Sequence, residues 1–348
     1  MNSNPLDIEF LSVDDVLLVP ACGILKSRKD AQLKPFLYSA PMDTVTGVDL
    51  ANAMIQANQY PVICRYLNTE WNQALTTIGN NPNVFFAIGL GEHSLEQLAI
   101  AANNKDSKTT FSVAVDLAHG DSEHAIDLIK RLRELDFIGN IMSGSICTAN
   151  GAIRCVEAGA THLRVGVGPG AACTTRLMTG CGVPQLSAIY QINKAITSYQ
   201  LSLPPMWDGD SIGIRDQITI IADGGIRYPG DAVKYLAAGA DAVMMGRRFS
   251  ECTESAGWTN GSKRYQGQAS ATFQQTIFGK SHACPEGATS SKFKPTTTCQ
   301  DLVDEFKGGV ASAISYLGLS SFDVLKPENV QFLRITPSAY HEGTPHGV

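Results

Sequence analysis

Short runs of apolar residues alternate along the chain with segments whose apolar positions recur every three or four residues. The apolar runs are FLYSAPM (36–42), YPVICRY (60–66), VFFAIGL (84–90), FSVAVDL (111–117), NIMSG (140–144), HLRVGV (162–167), ITIIADGG (218–225) and AVMMGRRF (242–249). Runs this short, apolar on both alternating faces, read as strands buried on both sides of a parallel sheet. Between them lie helical patterns. In SEHAIDLIKRLREL (122–135), Ala125, Ile126, Ile129, Leu132 and Leu135 fall on one face, with Asp121 and Ser122 ahead of it as N-cap candidates. In YPGDAVKYLAAGAD (228–241), Pro229 suits a first turn and Gly239 a C-cap. CQDLVDEFKGGVASAISYLG (299–318) supplies a final helix. Eight strand–helix units predict a closed (β/α)8, or TIM, barrel of class α/β. An open doubly wound sheet more often has about five or six strands.

Two stretches break the rhythm: an insertion over 198–217 and a Gly/Ser/Thr-rich excursion over 250–298, between the eighth strand and its helix. A loop that follows a barrel strand lies at the C-terminal face, where active sites are built, so the second stretch reads as a mobile active-site flap. The whole of 1–348 reads as one catalytic barrel domain. Hydrophobic residues make up 44% of the chain and charged residues 17%, enough for a large core. A net charge of −6 argues against a nucleic-acid partner, which calls for a basic surface to displace counterions. The nine cysteines include no C-x-x-C pair, which argues against a zinc site or disulfide framework and for a reducing compartment. The opening MNSNPLDIEF lacks a signal-peptide pattern and no apolar run is long enough to cross a bilayer, so a cytoplasmic protein with no membrane partner is expected.

Four constellations carry candidate chemistry. VGVGPGAACTTR (165–176) follows the sixth strand; Gly166, Gly168 and Gly170 allow a tight, closely approached loop that presents Cys173 to a ligand. Its carbonyls suit a monovalent cation and its N–H groups an anion. Read alone, the same segment equally suits a structural turn with a small buried thiol. IADGG (221–225) sets Asp223 at a strand tip, where a carboxylate can accept from ribose hydroxyls, with N–H groups of Gly224 and Gly225 available to a phosphate. MMGR (244–247) ends the eighth strand, and loops seven and eight are where such barrels commonly hold phosphate. In ACPEGAT (283–289), Glu286 could relay protons, although a loop glutamate is ordinarily a solvated charge.

With LSVDDVLLVP (11–20), APMDTVTG (40–47), GVGPGAACTTRLMTGCGVPQLSAI (166–189), IADGGIRYPGDAVKYLAAGADAVMMG (221–246) and YQGQAS (265–270), the chain resembles the IMP dehydrogenase/GMP reductase family along nearly its whole length. The resemblance implies a cytoplasmic homotetramer, a purine nucleoside monophosphate (GMP or IMP) as partner, a nicotinamide cofactor and a potassium ion. It implies Cys173, Thr175 and Glu286 as catalytic residues, and Met42, Asp223, Gly224, Gly225, Gly246, Arg247, Tyr265, Gly267, Gln268 and Gly287 around the substrate. For the cofactor it implies Ser27, Arg28, Arg65, Asp116, Leu117, Ala118, Val167, Gly168, Ser312 and Ser315, the last two from a neighbouring subunit; Arg28 and Arg65 alone would read as ordinary surface charge. Backbone carbonyls of Gly168, Gly170 and Cys173 would hold K+.

Within the family, VDLAHGDSEHAIDLIKRLRE (115–134), LKSR (25–28) and VQFLRIT (330–336) resemble GMP reductase, and the path from Arg65 to Phe85 leaves no room for the CBS insertion common in IMP dehydrogenases. Residues 271–290 contain no Arg, whereas the dehydrogenase flap carries an Arg-Tyr pair that activates water. The expectation is therefore an NADPH-dependent reductive deamination of GMP to IMP and ammonia. The alternative is an IMP dehydrogenase without CBS domains, working with NAD, or a relative acting on another purine nucleotide, deoxy forms included. A third reading is a nucleotide-binding barrel without activity. Four positions depart from the family pattern, at Ala171, Arg247, Gln268 and Ala283, and each bears on which nucleotide is bound.

Overall fold

The computed structural model describes residue 6 and residues 9–103, 110–199, 214–280 and 282–345. Most of the 198–217 insertion therefore lies outside the described residues. Eight parallel strands form one sheet. They are β1 (Leu37–Ser39), β2 (Val62–Ile63), β3 (Phe85–Ile88), β4 (Phe111–Asp116), β5 (Ile138–Ile146), β6 (His162–Val165), β7 (Thr219–Asp223) and β8 (Ala242–Met245), one for each apolar run. Neighbours in sequence are neighbours in the sheet, and β8 pairs with β1 through Leu37↔Val243, Tyr38↔Met244 and Ser39↔Met245. The sheet closes on itself where Tyr60, ahead of β2, donates its N–H to Leu37 O at 3.0 Å and accepts from Ser39 N at 3.2 Å.

Eight helices follow the strands: α1 (Val48–Gln56), α2 (Asn68–Thr77), α3 (His93–Asn103), α4 (Glu123–Arg133), α5 (Ala149–Glu157), α6 (Gln185–Ser198), α7 (Pro229–Ala237) and α8 (Cys299–Tyr316). The expected punctuation holds except that Ala238, one residue before Gly239, is the C-cap of α7. Ser122 caps α4 by accepting from Ala125 N, Pro229 opens α7, and Gly239 follows α7 at φ +108. Of the predicted face of α4, Ala125, Ile129 and Leu132 are fully buried, while Ile126 and Leu135 pack at the edge of the core.

Two separate apolar cores result, because each strand is buried on both faces. Outward-facing residues such as Leu163, Val165, Ile220 and Val243 pack under the helices. Inward-facing residues, among them Tyr38, Val62, Phe85, Ala114, Met142, Ile221 and Met244, fill the barrel. Near its N-terminal end Tyr38 stacks on Tyr60 at 4.5 Å, and the His162 ring lies edge-on to Phe85 at 5.0 Å. Burial there holds the His162 imidazole down at about 4. Towards the C-terminal end the same inward positions turn polar, with Asp116, Arg164 and Asp223. Among the described residues no helix is long and apolar enough to cross a membrane.

The 250–298 excursion carries elements of its own. An antiparallel pair, Trp258–Thr259 with Ser262–Lys263, leads into a helix over Ala271–Phe278, and an extended return pairs with positions 263, 266 and 270.

Candidate active site

A cavity of about 820 Å³ opens at the C-terminal ends of the strands. That volume is near the top of the usual range for small-ligand sites, enough for a nucleotide with a second ring beside it. Cys173, Thr175 and Glu286 all line it. The Gly-rich loop after β6 turns through Gly168 at φ +85, a conformation few other residues adopt. Cys173 N then donates to Gly170 O at 2.9 Å, leaving the thiol half-buried on the cavity wall. Its Sγ donates to Thr175 Oγ1 at 3.2 Å. The flap is laced to this loop by backbone bonds: Thr174 N to Glu286 O at 2.9 Å and Ala288 N to Ala172 O at 2.8 Å. That lacing brings Glu286, over a hundred residues away in the chain, to the thiol's side of the cavity.

Most of the residues expected around a nucleotide also line this cavity: Met42, Asp223, Gly224, Gly225, Gly246, Arg247, Tyr265, Gly267 and Gln268. Gly287 stands behind them, bridged to Cys173, and a Cβ there would come within 2.8 Å of Ser270 N. One expectation is corrected in detail. The Gly224 N–H continues the strand ladder by donating to Met244 O at 3.1 Å, so it is not free for a phosphate. Gly225, at φ +73, and the turn at Gly246 that opens the short helix Arg247–Ser250 also line the cavity. The Arg247 guanidinium lies 4.5 Å above the Phe293 ring and its Nε donates to Glu251 at 3.0 Å, so part of its charge is already answered.

The residues expected at a cofactor divide into two groups. Arg65, Asp116, Leu117, Ala118, Val167 and Gly168 line the same cavity, with the Arg65 guanidinium stacked on Tyr66 at 4.2 Å. Ser27, Arg28, Ser312 and Ser315 lie outside its lining; Arg28 instead donates to Ser312 Oγ at 3.1 Å on the outer side of α8. The Gly168, Gly170 and Cys173 carbonyls belong to one tight loop, the donor chemistry an alkali cation takes. Among the described residues no group of three His, Cys, Asp or Glu side chains could hold a metal ion.

One residue at the centre of the site was missed from sequence. Arg164, inward-facing on β6 and nearly buried, donates to Asp116 Oδ1 at 2.9 Å and to Ser145 Oγ at 2.9 Å, and its Nε lies 3.3 Å from Asp223 Oδ2. It joins a carboxylate of the expected cofactor wall to that of the expected ribose site. Burial pushes the Asp223 carboxyl up to about 6; Arg164 pulls it down and Asp116 pushes it up. The signal was present, an arginine in the middle of the apolar run HLRVGV, since a charge in a buried strand demands partners.

A thiol, a hydroxyl and a carboxylate thus share one cavity at the C-terminal mouth of a (β/α)8 barrel, where barrel enzymes carry their active sites. The comparisons make the class definite. A family model described as the IMP dehydrogenase / GMP reductase domain matches residues 11–346, and the chain belongs to that oxidoreductase family. It is similar to inosine-5′-monophosphate dehydrogenases of Aquifex aeolicus (33% identical, covering 98% of this chain and 66% of that protein) and Borreliella burgdorferi (30%, covering 99% and 98%). It is also similar to that of Chlorobaculum tepidum (34%, covering 68% and 47%). The chain thus spans about half to two thirds of some relatives and nearly the whole of another.

Proposed function

We propose that the protein exchanges hydride at C2 of a purine nucleoside monophosphate through covalent attachment of that carbon to Cys173. The observation that carries this reading is the thiol bonded to Thr175 Oγ1, with Glu286 held on the same cavity wall. Asp223 accepts from the ribose, Gly225 and Gly246 face the phosphate, and Arg65, Asp116 and Val167 form the wall beside the purine where a nicotinamide ring fits. The nicotinamide, when bound, takes up or supplies hydride. The protein's own work is to orient the ring, to form and release the C2–S bond, and to move protons through Thr175 and Glu286.

Two directions share this machinery. In the oxidative one, Cys173 adds to C2 of IMP, the C2 hydrogen leaves as hydride, and water releases the product as the 2-oxo nucleotide. In the reductive one, Cys173 adds to C2 of GMP, the 2-amino group leaves as ammonia after protonation, and hydride then displaces the thiolate to give IMP. The relatives, all named as dehydrogenases, favour the first, given above as the alternative, over the GMP reductase reading. The Borreliella protein is matched over 98% of its length, so lack of an insertion does not separate the two. The second keeps its support in the sequence: the arginine-free stretch 271–290 and the reductase-like segments 25–28, 115–134 and 330–336. Absorbance at 340 nm distinguishes them: NADH production from IMP and NAD, or NADPH consumption with GMP. Cys173→Ala should lose turnover while still binding the nucleotide. No turnover with either pair would leave the third reading, a binding protein without activity.

A further inference from the structure

The root of the flap is fastened onto the loop after β1 by four side-chain contacts. Lys263 Nζ donates to Thr44 O at 2.7 Å, Tyr265 OH meets Met42 Sδ at 3.5 Å, Gln266 Nε2 donates to Asp43 Oδ2 at 2.6 Å, and Gln268 Nε2 donates to Pro41 O at 2.6 Å. The last contact sits at the cavity end of this fastening. Gln268 follows Gly267, whose N–H donates to Ala288 O while Ala288 N donates to Ala172 O, so it stands beside the Cys173 loop.

Pro41 O can only accept, so the Gln268 amide cannot be reversed: its NH2 must face the carbonyl, and a flip would set two oxygens 2.6 Å apart. With Nε2 committed, Oε1 is the polar atom this side chain offers to the cavity it lines, and among the described residues no protein donor reaches it. We propose that Gln268 is a specificity-determining residue, a fixed acceptor that selects purines carrying an N–H donor on the pyrimidine edge. The inference rests on the purine-nucleotide reading above and narrows it. Two ring types supply that chemistry, a 6-oxopurine through N1–H and a 6-aminopurine through its amino group.

The test is equilibrium binding of inosine, adenosine and 1-methylinosine 5′-monophosphates to wild type and to Gln268→Met, without cofactor. Inosine monophosphate offers N1–H, adenosine monophosphate the 6-amino group, and the methylated nucleotide neither. Wild type should bind at least one of the first two about 5- to 10-fold more tightly than the third, the worth of one hydrogen bond. In Gln268→Met that preference should vanish, with the affinity for 1-methylinosine monophosphate unchanged; which nucleotide loses affinity names the donor. A preference that survives the substitution overturns the proposal and leaves the purine reading standing. If wild type binds none of the three, the purine reading falls, and the proposal falls with it.

Discussion

At the scale of single residues the polar floor of the cavity turns on Arg164. Its guanidinium faces two carboxylates, Asp116 and Asp223, and the latter is already raised by burial to about 6. Replacing Arg164 by Met removes the one influence that lowers Asp223, so its proton should stay on to higher pH. Nucleotide affinity in wild type should then show an inflection near 6, weakening on the acid side, and the inflection in Arg164→Met should move upward. Titration of binding against pH checks both statements, and Arg164→Lys should restore part of the shift. Gly225→Ala is the companion prediction. At φ +73 an added Cβ is strained and would come within 2.8 Å of the Tyr235 hydroxyl. Loss of nucleotide affinity together with about 1–2 kcal/mol of stability is expected, read from binding and urea denaturation.

At the scale of elements, a buried cation fastens the flap. Lys263 is 2% exposed, and its three donors go to Thr44 O, Ser255 Oγ and Ala256 O. Burial presses its ammonium down to about 7, yet three acceptors converge on it. Lys263→Met would orphan those acceptors and release the segment that carries Tyr265 and Gln268. A stability loss of about 3 kcal/mol or more is expected by chemical denaturation, with a larger rise in substrate KM than fall in kcat. The strands and helices were legible because each strand is apolar on both faces and each helix on one. The internal order of 250–298 was not, since its short strands and its helix over Ala271–Phe278 are held by contacts to β-strand loops far away in sequence, which no local periodicity records. Motifs and the family resemblance could bring Cys173, Thr175 and Glu286 forward as candidates, but for the same reason they could not show the commitment of the Gly224 N–H to the strand ladder.

At the scale of the whole molecule, the two ends of the barrel are differently tuned. The aromatic N-terminal end buries His162 with its pKa lowered to about 4, so the unfolded chain takes up a proton there that the folded one refuses. The sign follows from linkage: the contribution is complete above about 6.5 and is lost as pH falls from 6.5 to 4, on the order of 3 kcal/mol. Substituting Phe for His162 should flatten the acid limb of the stability curve between those values, measured by urea unfolding at several pH values. If the carbonyls of Gly168, Gly170 and Cys173 take an alkali cation, turnover should be higher in potassium than in lithium salts at equal ionic strength.

The stitching of Glu286 and Ala288 to the loop on either side of the thiol has a dynamic corollary. Neither strip can swing away without tearing two main-chain bonds that belong to both, Thr174 to Glu286 and Ala288 to Ala172. Glu286 and the Cys173 loop should therefore open as a single shutter, with ligand entering past the opposite jamb or waiting for the whole panel to lift. Deuterium uptake at Thr174 and at Ala288 should accordingly rise and fall together under every condition that loosens either one.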